Sequence, residues 1–163
     1  MARIKTAFLL CEKYRHMKKV FLVCFLFCAA FISTVKAQPH FNHLTVYVVD
    51  LQKSSAFYRD VIQLQEIPEP FHDNRHTWFK MGEHSQLHVV SGAKEKSPHD
   101  INIHLAFSVP SLESFAKKLD SLNVKYGNWN QSSKEPVVRP DGVKQIYLQD
   151  PDGYWIEVNE DKF

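Results

Sequence analysis

Three histidines and one glutamate occupy matching positions in the two halves of this sequence, and their side chains are types that bind divalent metal ions. His43 and His104 lie near the start of the apolar runs FNHLTVYVV and INIHLAFSV. His88 and Glu157 lie in the later runs QLHVV and YWIEVN. Imidazole nitrogens and carboxylate oxygens suit Zn²⁺, Ni²⁺, Fe²⁺, Mn²⁺ or Co²⁺, and spacing alone does not choose among these ions. The four residues therefore predict a divalent metal site.

Alternation along each run separates these four side chains from their apolar neighbours. In the last run, Ile156 and Val158 face one side of the predicted strand, and Glu157 faces the other side with Trp155 and Asn159. A carboxylate among such neighbours requires a partner, because burying an unpaired charge is costly. The three histidines, placed on strands in the same way, are the predicted partners.

An internal repeat supports this interpretation. A shift of 61 residues places His43 on His104, and a shift of 69 places His88 on Glu157. The predicted ligands thus lie on the first and last strands of each half, and both halves read as β-α-β-β-β. A solitary strand histidine is more often a surface or structural residue, and it is the repeat that favours metal binding.

The elements of the two halves follow from their apolar periodicity and turn residues. The first half is predicted to contain a strand at 41–49, a helix at 51–63 capped by Asp50, a short strand at 64–67, and a hairpin of 76–81 with 86–91. The second half is predicted to contain a strand at 101–109, a helix capped by Ser111, a short strand at 124–126, a polar loop at 128–142, and a hairpin of 144–149 with 154–159. The segment 150–153, Asp-Pro-Asp-Gly, predicts a tight turn in the last hairpin.

Further side chains share the strand faces of the predicted ligands. They would line a pocket for a small-molecule substrate, with a few polar groups among aromatic walls. The same positions suit ordinary half-buried sheet aromatics equally well. These residues are Tyr47, Trp78, Gln86, Tyr147 and Trp155.

Residues 1–37 differ from the rest and predict a signal peptide, which makes 38–163 the functional domain. Lys18 and Lys19 precede the apolar run 20–32, and small side chains precede Gln38. The alternative is a membrane anchor, but a 13-residue run is shorter than the roughly 20 residues that span a bilayer. Translation could begin at Met1 or at Met17. The mature protein is expected in the periplasm or outside the cell, with no membrane association.

The charge and cysteine content of the domain exclude other functions. Seven of the 20 Lys and Arg and one of the 18 Asp and Glu lie in residues 1–37, so 38–163 carries 13 basic and 17 acidic side chains, a net charge of −4. A mildly acidic domain without a basic patch is not expected to bind nucleic acid. All three cysteines also lie in the leader, which excludes disulfides and thiolate catalysis in the domain.

The sequence resembles the vicinal oxygen chelate superfamily, which includes glyoxalase I, fosfomycin resistance proteins and extradiol dioxygenases. The segments that carry the resemblance are FNHLTVYVVDLQKSSAFYRDVIQL, QLHVV, NIHLAFSV and QDPDGYWIEVNE, and the last is the most specific. The resemblance implies an α+β fold in which two β-α-β-β-β modules form a cupped mixed sheet around a divalent metal. It also implies a homodimer whose sites can take ligands from both chains.

Within the superfamily, four ligand positions resemble the lactoylglutathione lyase type, an isomerase of hemithioacetals. By similarity, Glu157 would be a ligand that also moves a proton. Two positions depart from that type: His88 stands where glutamate is usual, and Tyr47 stands where an arginine commonly binds glutathione. A non-haem iron dioxygenase using His43, His104 and Glu157 is the main alternative. A metal-free binding protein like the bleomycin-sequestering members, or a fosfomycin-type transferase, are the others.

Overall fold

A computed structural model describes residues 37–162 of the 163-residue chain, and the compact unit that begins at Phe41 is considered by itself. The predicted leader lies outside the described residues except for Ala37. No helix within residues 37–162 is long and apolar enough to cross a membrane.

The first module, residues 43–91, has the predicted β-α-β-β-β order. Its elements are β1 (His43–Val48), α1 (Leu51–Ala56), a π-helical turn (Phe57–Val61), β2 (Gln65–Ile67), β3 (His76–Met81) and β4 (Ser85–Ser91). The second module, residues 104–159, repeats this order with one added short strand. Its elements are β5 (His104–Ser108), α2 (Leu112–Ser121), β6 (Tyr126–Gly127), β7 (Val137–Val138), β8 (Lys144–Gln149) and β9 (Trp155–Asn159).

Each module forms its own mixed sheet, and the two sheets have equivalent strand orders. The first sheet has the order β1-β4-β3-β2, and the second has the order β5-β9-β8-β6 with β7 also paired to β8. In both, the first strand of the module runs parallel to the last, and the remaining pairs are antiparallel. The repeat and the α+β class predicted from the sequence are confirmed.

The helices begin where their capping residues predict. The Asp50 carboxylate accepts a hydrogen bond from the Lys53 backbone at 3.0 Å, and the Ser111 hydroxyl accepts one from Ser114 at 3.2 Å. The first helix is shorter than predicted, because its last turn widens to a π-type turn. There the N–H of Ile62 donates to the carbonyl of Phe57 at 3.2 Å, which is an i to i+5 bond.

One hydrophobic core joins the two modules. It collects the apolar faces of the strands of both sheets with the inward faces of the helices. The strand side chains in this core alternate with the predicted ligands, which therefore lie on the opposite faces of their sheets. The fully buried side chains include Val46, Val48, Tyr58, Phe79, Leu87, Leu119, Ile156 and Val158.

The Asp-Pro-Asp-Gly turn of the second module also docks on the first module. Asp152, which is 3% exposed, accepts hydrogen bonds from the backbone of Val49 at 2.8 Å and from the hydroxyl of Ser54 at 2.5 Å. Asp150, which is 6% exposed, accepts a hydrogen bond from the hydroxyl of Tyr58 at 2.7 Å. The two carboxylates therefore hold the end of β1 and the first helix against the second module, in addition to shaping the turn.

Candidate functional site

The four predicted ligands form two pairs, one on each sheet. Within residues 37–162, no three His, Cys, Asp or Glu side chains lie close enough together to hold a metal ion. His43 lies on β1 and His88 on the adjacent β4, and these form the first pair. His104 lies on β5 and Glu157 on the adjacent β9, and these form the second pair. Each module thus supplies half of the predicted ligand set.

The first pair is held by ring stacking. The imidazoles of His43 and His88 lie face to face, with centroids 4.2 Å apart and planes inclined by 11°. The indole of Trp78, directly across the strand pair from His88, stacks on its other face at 3.9 Å. Burial lowers the pKa of His88, and the nearby His43 and His76 lower it further. His88 is therefore kept in its neutral form, which is the form that can bind a metal.

The two histidines of the first pair differ in the nitrogen that remains available. His43 Nδ1 lies 2.7 Å from the side-chain oxygen of Asn42, so Nδ1 carries the proton and Nε2 has a free lone pair. His88 Nε2 lies 2.9 Å from the side-chain oxygen of Gln86, so Nε2 is the protonated nitrogen there. His43 has the hydrogen bond that orients a ligand. His88 would have to leave Gln86 before its Nε2 could bind a metal.

The second pair is in direct contact. His104 Nε2 lies 3.3 Å from Glu157 Oε2, and His104 Nδ1 lies 2.7 Å from the carbonyl of Ile101. The carbonyl can only accept, so Nδ1 carries the proton and Nε2 has its lone pair on the side of Glu157. A free Nε2 beside a carboxylate is a repulsive arrangement unless a proton or a cation lies between them. The pair therefore has the chemistry of half a metal site.

Glu157 is 7% exposed, and both of its oxygens accept hydrogen bonds. The hydroxyl of Tyr147 donates to Oε2 at 2.9 Å, and the side-chain amide of Asn159 donates to Oε1 at 2.7 Å. Gln145 in turn donates to the hydroxyl of Tyr147. Burial and the Glu157 carboxylate raise the pKa of the Tyr147 phenol well above its ordinary value. Tyr147 therefore stays protonated and acts as a donor to the carboxylate.

The residues predicted to line a pocket are distributed among several environments. Trp78 and Gln86 contact His88, and Tyr147 contacts Glu157. The indole N–H of Trp155 donates to the carbonyl of His99 at 2.9 Å. Tyr47 lies at a separate cavity of about 290 Å³ between β1, the linker after β4 and the turn after β8. Three of the five thus touch a predicted ligand within the chain.

Two residues at the second pair were missed by sequence reasoning. Asn159 follows Glu157 by two positions on the same strand face, and this spacing could have identified it. The indole of Trp129 packs edge-on against Tyr147, with ring centroids 5.3 Å apart. Trp129 lies in the loop predicted only as polar, and no periodic pattern in that loop points to the contact.

Comparisons with known proteins agree with this architecture. The profile of the Glyoxalase/Bleomycin resistance protein/Dioxygenase superfamily matches residues 40–158. The chain belongs to this superfamily. The match covers both modules and all four predicted ligands, so the resemblance drawn from the sequence motifs is confirmed.

Relatives and solved structures extend the likeness over almost all of the described residues. The chain is 24% identical to lactoylglutathione lyase of Pseudomonas aeruginosa, over 72% of this chain and 80% of the relative. It is 26% identical to a glyoxalase family protein from Bacillus anthracis, with a TM-score of 0.61 and coverage of 78% and 98%. The fosfomycin resistance protein from Listeria monocytogenes shares the fold at 20% identity, with a TM-score of 0.60 and coverage of 77% and 94%.

Proposed function

We propose that this superfamily member is an exported metal-dependent enzyme of the glyoxalase type, a lyase or isomerase that acts on the vicinal oxygens of a small substrate. One observation carries the proposal. His43 and His104, at equivalent positions of the repeat, both have Nδ1–H hydrogen-bonded to an oxygen and a free Nε2. This is the orientation in which proteins hold metal-binding histidines. In the second module, the free Nε2 also faces a buried carboxylate.

The donor set fits a divalent ion. His43, His104 and Glu157 would hold it, with His88 as a fourth ligand once released from Gln86. Nitrogen and carboxylate donors are compatible with zinc, nickel, iron, manganese or cobalt, and members of the superfamily typically use a divalent metal. When bound, such an ion polarises the substrate oxygens as a Lewis acid. Glu157 would accept the substrate proton at Oε2, the oxygen on the His104 side.

A complete site requires the two pairs to meet, and we propose that a homodimer brings them together. The described strands β1 and β5, which carry His43 and His104, are the outer strands of their sheets. Outer strands have backbone groups free to pair with another chain. Pairing of β1 in one protomer with β5 in its partner would place one half-set of ligands beside the other. Proteins of this superfamily commonly form dimers and bind small molecules.

Metal analysis tests this function. After dialysis against a mild chelator, the purified protein is expected to retain about one divalent ion per chain. A His43→Ala/His104→Ala variant should retain none, and Glu157→Gln should lose turnover of the hemithioacetal of methylglyoxal and glutathione. Failure of the protein to take up any of the five metals would overturn the proposal and indicate a metal-free binding protein. Full turnover in Glu157→Gln would overturn the role of Glu157 as base.

One observation favours a second candidate, an extradiol-type dioxygenase. The hydrogen bond between Gln86 and His88 removes His88 from the ligand set, and the remaining His43, His104 and Glu157 match the two-histidine, one-carboxylate set of non-haem iron oxygenases. The test is anaerobic loading with Fe²⁺ followed by catechol and oxygen. Ring cleavage that is lost when the iron is oxidised would support this candidate over the isomerase.

The proposed export rests on residues 1–37 and has its own test. Their basic segment and short apolar run are typical of a signal peptide. Mass spectrometry of the mature protein is expected to show a chain that begins at Gln38. An intact leader on protein from the cytosolic fraction would contradict export without affecting the proposed chemistry.

A further inference from the structure

The side-chain amide of Asn159 is built into the second pair. Asn159 is 5% exposed, and its Nδ2 donates to Glu157 Oε1 at 2.7 Å. It lies two residues after Glu157 on β9, so both side chains emerge on the same face of the sheet. A buried charge-assisted hydrogen bond of this kind is short and strongly directional.

The orientation of the Asn159 amide is fixed from its other side. Its Oδ1 accepts hydrogen bonds from the backbone N–H of Asp161 at 3.1 Å and from the hydroxyl of Ser108 at 3.0 Å. A backbone N–H is only a donor, so the atom that faces it must be the amide oxygen. The NH₂ group must then face Glu157. The amide cannot be flipped without loss of hydrogen bonds at both ends.

The two oxygens of Glu157 therefore have different neighbours. Oε1 is held by Asn159, while Oε2 accepts from Tyr147 and lies 3.3 Å from His104 Nε2. We propose that Asn159 is a positioning residue that holds Oε1 and thereby aims Oε2 at the metal position beside His104. This inference rests on the proposed role of Glu157 as a ligand, but the hydrogen bond itself can be tested without a metal.

The first module has no such device, which makes the function specific to the carboxylate. The shift of 69 residues that places His88 on Glu157 places Val90 on Asn159. Valine has no donor, and an imidazole has no second oxygen that must be held. An asparagine at position 159 is thus explained by the carboxylate next to it, and not by the repeat.

The metal-free test uses side-chain amide resonances in ¹H–¹⁵N spectra of the full chain. One Nδ2 proton of Asn159 is expected downfield of the exposed Asn130 amide, and Glu157→Ala should move it back. Asn159 resonances that match those of Asn130, or that Glu157→Ala leaves unchanged, would overturn the proposal.

The second test measures Co²⁺ affinity by competition with a chromophoric chelator, together with the visible spectrum of the bound ion. Asn159→Asp has nearly the same shape but faces Glu157 with an acceptor and a charge. It is expected to weaken Co²⁺ binding about 10–100-fold and to alter the spectrum, since supporting groups of metal ligands typically have effects of this size. Asn130→Asp adds the same charge at an exposed loop position and should leave both unchanged.

The two tests separate this inference from the proposed function. Wild-type protein that takes up no Co²⁺ would sink the metal site, and the amide resonances alone would then decide whether Asn159 holds Glu157. Wild-type protein that binds Co²⁺ with the same affinity and spectrum as Asn159→Asp would overturn the positioning role while leaving the metal site intact. If Asn159→Asp does not fold, the comparison of wild type with Glu157→Ala still gives a decision.

Discussion

The two modules hold equivalent residues by different forces. In the first, His43 and His88 stack on each other and on Trp78, with only Asn42 and Gln86 bonded to their nitrogens. In the second, a network of donors and acceptors surrounds Glu157, and the carboxylate is almost fully buried. The difference follows from the ligand types, because an imidazole can be buried neutral against aromatic rings whereas a carboxylate requires donors.

The largest expected effect of this difference is on metal affinity. Glu157→Ala should weaken Co²⁺ binding roughly 1,000-fold, more than the 10–100-fold typical of residues that only support a ligand. His88→Ala should weaken it less than about 10-fold, because Gln86 already occupies Nε2 of His88. Chelator competition on both variants measures the ratio. Equal losses would show that His88 is a full ligand and would break the comparison.

The hairpin turns of the two modules should differ in their effect on stability. Asp152→Ala removes the acceptor of the Val49 N–H and the Ser54 hydroxyl, and is expected to lower the free energy of unfolding by about 3 kcal/mol. Glu83→Ala, in the exposed turn of the first module, should cause no measurable loss. Urea unfolding of both variants tests the contrast. A stability loss in Glu83→Ala as large as that in Asp152→Ala would contradict it.

A smaller, pH-dependent effect is expected at Asp150. Burial raises the pKa of its carboxyl, and the nearby Asp152 raises it further, although the Tyr58 hydroxyl and the backbone N–H groups of Asp152 and Tyr154 oppose the shift. Because the folded pKa is raised, the stabilisation is complete below the unfolded pKa of about 3.9 and is lost as pH rises through the folded pKa.

Asp150→Asn removes this titration with little change of shape. Its oxygen can still accept from the two backbone N–H groups, and its NH₂ can donate to Tyr58. The stability of Asp150→Asn relative to wild type should therefore increase between about pH 4 and pH 7. Urea unfolding at both pH values measures the change. A difference that is constant or that shrinks with pH would show that the carboxyl of Asp150 does not titrate as described.

The smallest effect concerns the ring stack of the first module. Trp78→Ala opens one face of the His88 ring to water, and the pKa of His88 should rise toward its ordinary value because desolvation is the main cause of its depression. NMR titration of the imidazole protons measures this shift. Phe71→Ala is a suitable control, since Phe71 contacts Trp78 but is 58% exposed and does not stack on His88.

Much of the architecture was predictable because the repeat and the strand alternation are strong local signals. His43 and His104, and His88 and Glu157, do lie on the first and last strands of each module. The π-helical turn and the exposure of Ile103, predicted in a core-facing strand but 74% exposed just before β5, were not predictable. Both depend on packing between elements, which overrides local preference.

The site was predictable only in part, for a related reason. Residue types and strand faces identify Glu157 and its neighbours, but they do not give tautomers or hydrogen-bond partners. The Gln86–His88 bond and the burial of Asp150 and Asp152 depend on contacts between strands or modules. That the described chain supplies the ligands as two separate pairs is likewise a property of the tertiary structure.

The docked turn of the second module also determines where the chain can be reopened. Gly82, Glu83 and His84 connect β3 to β4 at an exposed tip, and there is open space around the Cα of Gly82. New chain ends or an inserted tag at that tip would leave the packing between modules untouched. The corresponding break at 151–153 would release Asp152 from Val49 and Ser54. Two turns that began as equivalents in the repeat thus differ in the freedom they leave for circular permutation and for insertion during evolution.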